Sequence, residues 1–176
     1  MSGSYVGARI DNLVKSQWDL FNKIIPLVGA KVPPHELHTT VLYSRIGVQK
    51  ELITSMIESI VVPLSVRVIG AEIFDCWTEE GTVDQTKGTF VLTLESDLLQ
   101  SMHRAMLDLG AVHDYPSYQP HVTLFYGVPM DIAKHAATQL NSLLEQDPII
   151  VKITEFYYEP LNEDWVSGNL ETREAA

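Results

Sequence analysis

The sequence predicts an α+β fold built from two copies of one strand–helix unit, and three observations carry that prediction. Two segments nearly repeat each other, His38-Thr39-Thr40-Val41-Leu42-Tyr43-Ser44 and His121-Val122-Thr123-Leu124-Phe125-Tyr126-Gly127, 83 residues apart in a chain of 176. Their settings also match. A helix-opening aspartate lies 27 residues before the first motif histidine and 24 before the second, a proline-bearing loop leads into each motif, and a helix follows it. Third, 45% apolar and 20% charged residues are the proportions of a soluble globular protein with one compact core.

Each element has a local reason. Tyr5–Ile10 alternates as a strand does. Asp11 is an N-cap for a helix carrying Leu13, Val14, Leu20, Phe21, Ile24 and Ile25, and Gly29 stops it. Pro33-Pro34 marks an irregular entry to the first His-x-Thr strand. Val48–Val62 reads as a helix ended by Pro63, and Leu64–Trp77 as a β-branched strand. The polar stretch 79–88, with two glycines, is expected to be a loop, and Thr89–Glu95 a further alternating strand. The second half repeats the plan. Ser96 or Asp97 caps a helix through Leu109 with Gly110 as its stop, Pro116 and Pro120 precede the second motif, Met130–Glu145 is helical, and Ile149–Tyr158 is a strand.

Composition narrows the function. The formal net charge is −11 and no cluster of Lys and Arg appears, so a long nucleic-acid partner is disfavoured, because phosphate neutralisation supplies most of such binding. A small anion held by a few local donors remains compatible. No apolar run approaches the roughly 20 residues of a membrane span. Met1-Ser2-Gly3-Ser4-Tyr5 has neither the basic region nor the apolar core of a signal peptide, so cytoplasmic residence is expected. The single cysteine, Cys76, allows no internal disulfide and is read as a core residue.

On a strand, residues i and i+2 share a face, so His38 with Thr40 and His121 with Thr123 each present an imidazole beside a hydroxyl. Two such strands facing each other place two histidines and two threonines around one small ligand. Histidine has the side-chain pKa nearest neutrality, so the pair can act as base and acid together, while the threonine hydroxyls hold phosphate oxygens. His38, Thr40, His121 and Thr123 are therefore the expected catalytic residues. The residue types alone do not say which histidine is base and which is acid.

The paired His-x-Thr segments resemble the signature of the 2H phosphoesterase superfamily, and His121–Gly127 is close to the form found in its RNA ligase-like members. Within that superfamily the chain is most similar to the phage anti-CBASS phosphodiesterases, which cut the cyclic di- and trinucleotides that activate bacterial abortive-infection effectors. The size, the short N-terminal strand, the His-Thr-Thr form of the first motif and Glu159 with Trp165 carry this likeness. Thr39 departs from the usual pattern of the wider superfamily, where an apolar residue often follows the histidine, but residue 39 is expected to face away from the cleft.

The resemblance implies a bilobal, pseudo-twofold fold, with two antiparallel sheets lining a central cleft and helices outside. It implies a single domain over residues 1–176, with one lobe about 30–90, the other about 1–12 plus 91–160 (or a division by sequence halves), and 160–176 a tail or lid. It also implies metal-independent cleavage of a 3′–5′ linkage in a cyclic oligonucleotide, with no cofactor and no obligate protein partner. If the chain is phage-encoded, the compartment is the host bacterial cytoplasm. Two other functions stand beside this one, a 2H enzyme acting on short RNA ends or 2′,3′-cyclic phosphates, and a sponge that binds a cyclic nucleotide and releases it intact.

Bases need aromatic faces, and Tyr5, Tyr43, Tyr115, Tyr118, Tyr126 and Trp165 are the candidates. Tyr43 and Tyr126 sit at odd offsets from their motif histidines, so alternation directs both into the hydrophobic layer. Tyr5, Tyr118 and Trp165 are the expected substrate contacts, and Glu159 is a candidate acceptor for a base edge or ribose. His35-x-x-His38 has a spacing seen in metal sites, but on a strand or loop it does not bring both rings to one side, and no metal is expected. His103 and His135 are expected on helix surfaces. His113, in the loop before the second motif, is a candidate ligand contact.

Overall fold

Alternation along the first strand sorts its residues between two environments. In β1 (Ser4–Ile10), Val6, Ala8 and Ile10 are buried, while Tyr5 and Arg9 stand on the opposite face. The structure, a computed structural model, describes residues 3–11, 15–24, 29–78, 81–113 and 117–161. Trp165, Tyr115 and the C-terminal tail, all singled out by the sequence, lie outside the described residues.

After β1 come α1 (Lys15–Ile24), β2 (Ala30–Lys31), a 3₁₀ turn (Pro34–Glu36), β3 (His38–Ser44) and α2 (Lys50–Glu58). The long strands β4 (Leu64–Trp77) and β5 (Val83–Glu95) are followed by α3 (Asp97–Asp108), β6 (His121–Pro129), α4 (Met130–Leu144) and β7 (Ile150–Pro160). The Ser96 side chain caps α3 by accepting from the Leu99 amide, and Gly110, at φ +96°, ends it in the left-handed region as expected. The stretch expected to be a loop over 79–88 is shorter. β5 begins at Val83 and pairs back onto Trp77, on an exposed part of the hairpin where no apolar alternation marks a strand.

The expectation of two sheets is corrected by the strand pairing. Among the described residues, seven strands form one antiparallel sheet in the order β2-β6-β5-β4-β7-β1-β3. β7 is the reason. Its first residues, Ile150–Ile153, pair with Leu64–Arg67 of β4, and from Ile153 to Pro160 it pairs with β1, so one strand belongs to both halves and joins them. A duplicated motif cannot reveal this, because lateral pairing is made by backbone groups that every sequence carries.

The sheet curls strongly. β3 and β6 are five strand spacings apart in the order, which would be about 24 Å in a flat sheet. Their Cα atoms nonetheless come within 8 Å of each other. The helices cover one face, α4 on β4, β5 and β6, α3 on β3, and α2 on β7. On the other face the two motif strands are brought together.

Thr39 pairs with Ala8 and points into the helix-covered core, as the sequence expects, and is fully buried. Its Oγ1 makes no hydrogen bond. An unsatisfied buried hydroxyl is destabilising, and valine has nearly the same shape, so Thr39→Val is expected to stabilise the fold by about 1 kcal/mol. Denaturant unfolding checks this, with activity unchanged because the side chain faces away from the motif face.

Candidate active site

The two motifs are built alike down to their hydrogen bonds. The 3₁₀ turn Pro34–Glu36 brings the Glu36 carbonyl to the ring of His38, whose Nδ1 lies 2.8 Å from it. In the second copy His121 Nδ1 lies 2.8 Å from the carbonyl of Gln119, again two residues upstream. A carbonyl oxygen only accepts, so Nδ1 carries the proton in both neutral rings and Nε2 is the nitrogen left free to exchange a proton with a ligand. The entry to each strand is duplicated too: the Ile10 amide donates to the Leu37 carbonyl, and the Leu94 amide to the Pro120 carbonyl.

A bulge follows each His-x-Thr at the same place. β1 pairs Val6 with Leu42 and Gly7 with Thr40, leaving Val41 extra. β5 pairs Phe90 with Phe125 and Val91 with Thr123, leaving Leu124 extra. An extra residue reverses the alternation downstream. Tyr43 therefore sits opposite Tyr5, on the face of His38 and Thr40, and Tyr126 is 47% exposed. The expectation that both tyrosines enter the hydrophobic layer is corrected, because the odd offset counts a residue that the bulge removes from the register.

Register places His38 and Thr40 on the same face as Arg9, Gly7 and Tyr5 of β1, next to Glu155, Tyr157 and Glu159 of β7. His121 and Thr123 share a face with Glu72 and Phe74 of β4, across β5. The sheet's curl brings these two groups together, and His38 and His121 act on each other electrostatically. Burial lowers the pKa of His121, and His38 lowers it further, against the Gln119 carbonyl and Glu72, which raise it. The edge of Phe74 packs on the His121 ring, with centroids 4.7 Å apart.

Tyr5 stands on the same face, between Tyr43 of β3 and Glu159 of β7. Its hydroxyl is 3.2 Å from Thr40 Oγ1, and burial pushes its pKa well above the usual range for tyrosine, so it stays protonated. A protonated Tyr5 can donate to Thr40 and leave the threonine's own proton for an incoming oxygen. Glu159, directly opposite Tyr5 on β7, is exposed. Gly7 is glycine for a local reason, since a Cβ there would collide with the ring of Tyr157.

Tyr118 has a different placement. Its hydroxyl donates to the Thr40 carbonyl at 2.9 Å, and its ring stacks on His103 with centroids 4.1 Å apart. His103 Nδ1–H in turn donates to the Val41 carbonyl at 2.7 Å, so these two side chains hold both carbonyls of the first bulge. The expected surface position of His103 is corrected: it is 3% exposed, on the buried stripe of α3 with Leu99, Met102 and Met106. Its spacing from Leu99 and Met106 carried that signal. His113 packs its edge on His103 rather than standing apart in its loop, while His135 is exposed. Cys76 is half-buried.

Arg9, Tyr157, Glu155, Glu72 and Phe74 were missed by sequence reasoning. The first could have been found, since Arg9 follows Tyr5 and Gly7 at the strand period of two. Tyr157 and Glu155 likewise precede Glu159 at that period. Among the described residues, no group of three or more His, Cys, Asp or Glu is placed to hold a metal ion, and no helix is long and apolar enough to cross a membrane.

The family model described as "Anti-CBASS protein Acb1" matches residues 2–168. The chain is similar to the anti-CBASS protein Acb1 of Vibrio phage KVP40, 30% identical over 171 residues, covering 95% of this chain and 93% of that protein. It is similar also to the protein of the same name from Enterobacteria phage T4, 28% identical over 166 residues, covering 93% of this chain and 91% of that one. Among solved structures, TT0787 of Thermus thermophilus aligns with a TM-score of 0.48 at 16% identity, over 89% of this chain and 83% of that one.

Proposed function

Because the chain belongs to the Acb1 family of anti-CBASS proteins, we propose that its two His-x-Thr strands cleave a 3′–5′ linkage of a cyclic di- or trinucleotide by attack of the adjacent ribose 2′-hydroxyl. The protein is an anti-CBASS phosphodiesterase whose substrate is a small cyclic nucleotide. The observation that supports this chemistry is the matched pair of imidazoles, each with Nδ1 tied to a carbonyl two residues upstream and Nε2 free.

His121 is the general base. It is the histidine whose protonated form burial disfavours, so it is neutral near pH 7, and Glu72 supports the imidazolium that forms once it accepts a proton. His121 Nε2 removes the 2′-hydroxyl proton, and O2′ attacks the neighbouring phosphorus. The bond from phosphorus to O5′ breaks, and protonated His38 delivers a proton to O5′. Thr40 and Thr123 donate to the non-bridging oxygens as charge builds on them. The product is a linear nucleotide ending in a 2′,3′-cyclic phosphate. These steps use only His and Thr.

The test is to incubate the protein with 3′,3′- and 2′,3′-linked cyclic di- and trinucleotides in EDTA and follow the products by chromatography with mass detection. Linear products with a 2′,3′-cyclic phosphate end are expected. Nucleotides that stay intact would overturn the reading in favour of sequestration.

The pH dependence follows from the same assignment. The base must be neutral to act, so kcat/KM rises as pH climbs through the His121 pKa. Because that pKa is lowered, the acid limb is expected below the ordinary histidine value of about 6.5. The need for a protonated general acid then turns the profile down at higher pH, giving a bell. An acid limb above 6.5 would reverse the roles of the two histidines.

A further inference from the structure

A cyclic dinucleotide carries two phosphates, and the paired motifs hold one of them. We propose that Arg9 holds the second, and that Glu155 and Tyr157 keep its guanidinium in place until substrate arrives; this inference rests on the phosphodiesterase reading above. Arg9 is the direct cross-strand partner of His38, which sets their Cα atoms about 5 Å apart with both side chains on one face. A phosphate bound beside His38 thus leaves the rest of a small ring within reach of the neighbouring guanidinium.

The arginine is positioned in advance. Its Nε lies 2.8 Å from Glu155 Oε2, and its guanidinium carbon stands 5.4 Å over the ring of Tyr157. The ion pair uses Nε and leaves the two terminal amino groups for an anion. The Tyr157 face restrains the side chain without consuming a donor. Tyr157 can lie there because residue 7 is glycine. Both members of the ion pair are more than half exposed, so the contact is open to an incoming ligand. A phosphate bound there competes with Glu155 for the cation, and against the chain's charge of −11 a local cation favours binding of a doubly anionic substrate.

The experiment compares a cyclic dinucleotide with a dinucleoside monophosphate, which has a cleavable 3′–5′ linkage but no second phosphate. Arg9→Ala is expected to raise KM for the cyclic substrate by roughly 10- to 100-fold, the size of a lost charge-assisted contact. Its kcat, and its kcat/KM on the monophosphate, should stay within about threefold, a change too small to represent such a contact. Glu155→Gln should lower KM on the cyclic substrate by about threefold, a gain in the range of a released surface ion pair that a purely structural role would not produce.

Equal losses on both substrates, or no change in KM, would overturn the clamp. Calorimetric binding of the cyclic dinucleotide to His121→Ala with and without Arg9→Ala gives the same answer in the absence of turnover: weakening of about tenfold or more supports the clamp, and equal affinities sink it. Absence of cleavage by the wild type would instead overturn the phosphodiesterase reading, so the two failures are distinguishable.

Discussion

Replacing His121 with alanine is expected to lower kcat on a cyclic dinucleotide by about 10²- to 10⁴-fold, the range of a positioned proton-transfer group, while leaving binding nearly intact. His38→Ala should do the same through the other proton. The two losses share a cause, since each removes an Nε2 whose aim is set by the Nδ1 bond to Glu36 or Gln119. They should be non-additive, because base and acid act in one displacement and the double variant loses little more than either single one. Turnover is read by product chromatography and affinity by calorimetry on the same preparations. A variant that keeps full turnover would remove its histidine from the mechanism; one that loses binding and turnover together would make it a contact rather than a proton carrier.

The threonines come next in size. Thr40→Val and Thr123→Val preserve shape and remove the donor aimed at a non-bridging oxygen, so each is expected to cost about 10²- to 10³-fold in kcat with little change in KM. Serine should restore most of the loss at either site. The two positions differ in one respect. Thr40 Oγ1 lies 3.2 Å from the Tyr5 hydroxyl, and that phenol is held protonated by burial and so can donate to it. Tyr5→Phe should therefore reproduce part of the Thr40→Val defect and none of the Thr123→Val defect. Losses in KM alone would assign the hydroxyls to ground-state binding instead.

The motif repeat was legible because it lives at short range. His38 and Thr40, like His121 and Thr123, needed only the period of a strand to be placed side by side, and the structure keeps each pair on one face. The limits of α3 were legible for the same reason, with Ser96 as a cap and Gly110 as a stop, whereas α2, expected over Val48–Val62, spans only Lys50–Glu58. Tyr43 and Tyr126 show where short-range reading ends. One bulge residue after each His-x-Thr turns the tyrosines to the other face, and a rule of strict alternation is blind to an extra residue. His103 is a different case: its spacing from Leu99 and Met106 put it on the apolar stripe of α3, but only the fold supplies the Val41 carbonyl that satisfies its ring in the core.

By itself, then, the chain determined most of its longer strands and helices and the pairing of each motif histidine with its threonine on one face, since these arise from interactions among residues a few positions apart. Only the tertiary structure decided that β7 joins the halves into one sheet, that the sheet curls until β3 meets β6, and that Arg9 stands beside His38. Those outcomes depend on which backbone edges pair across long stretches of chain and on where bulges bend them. The free energy of such pairing belongs to surfaces that meet only on folding, so no local pattern in the sequence records it.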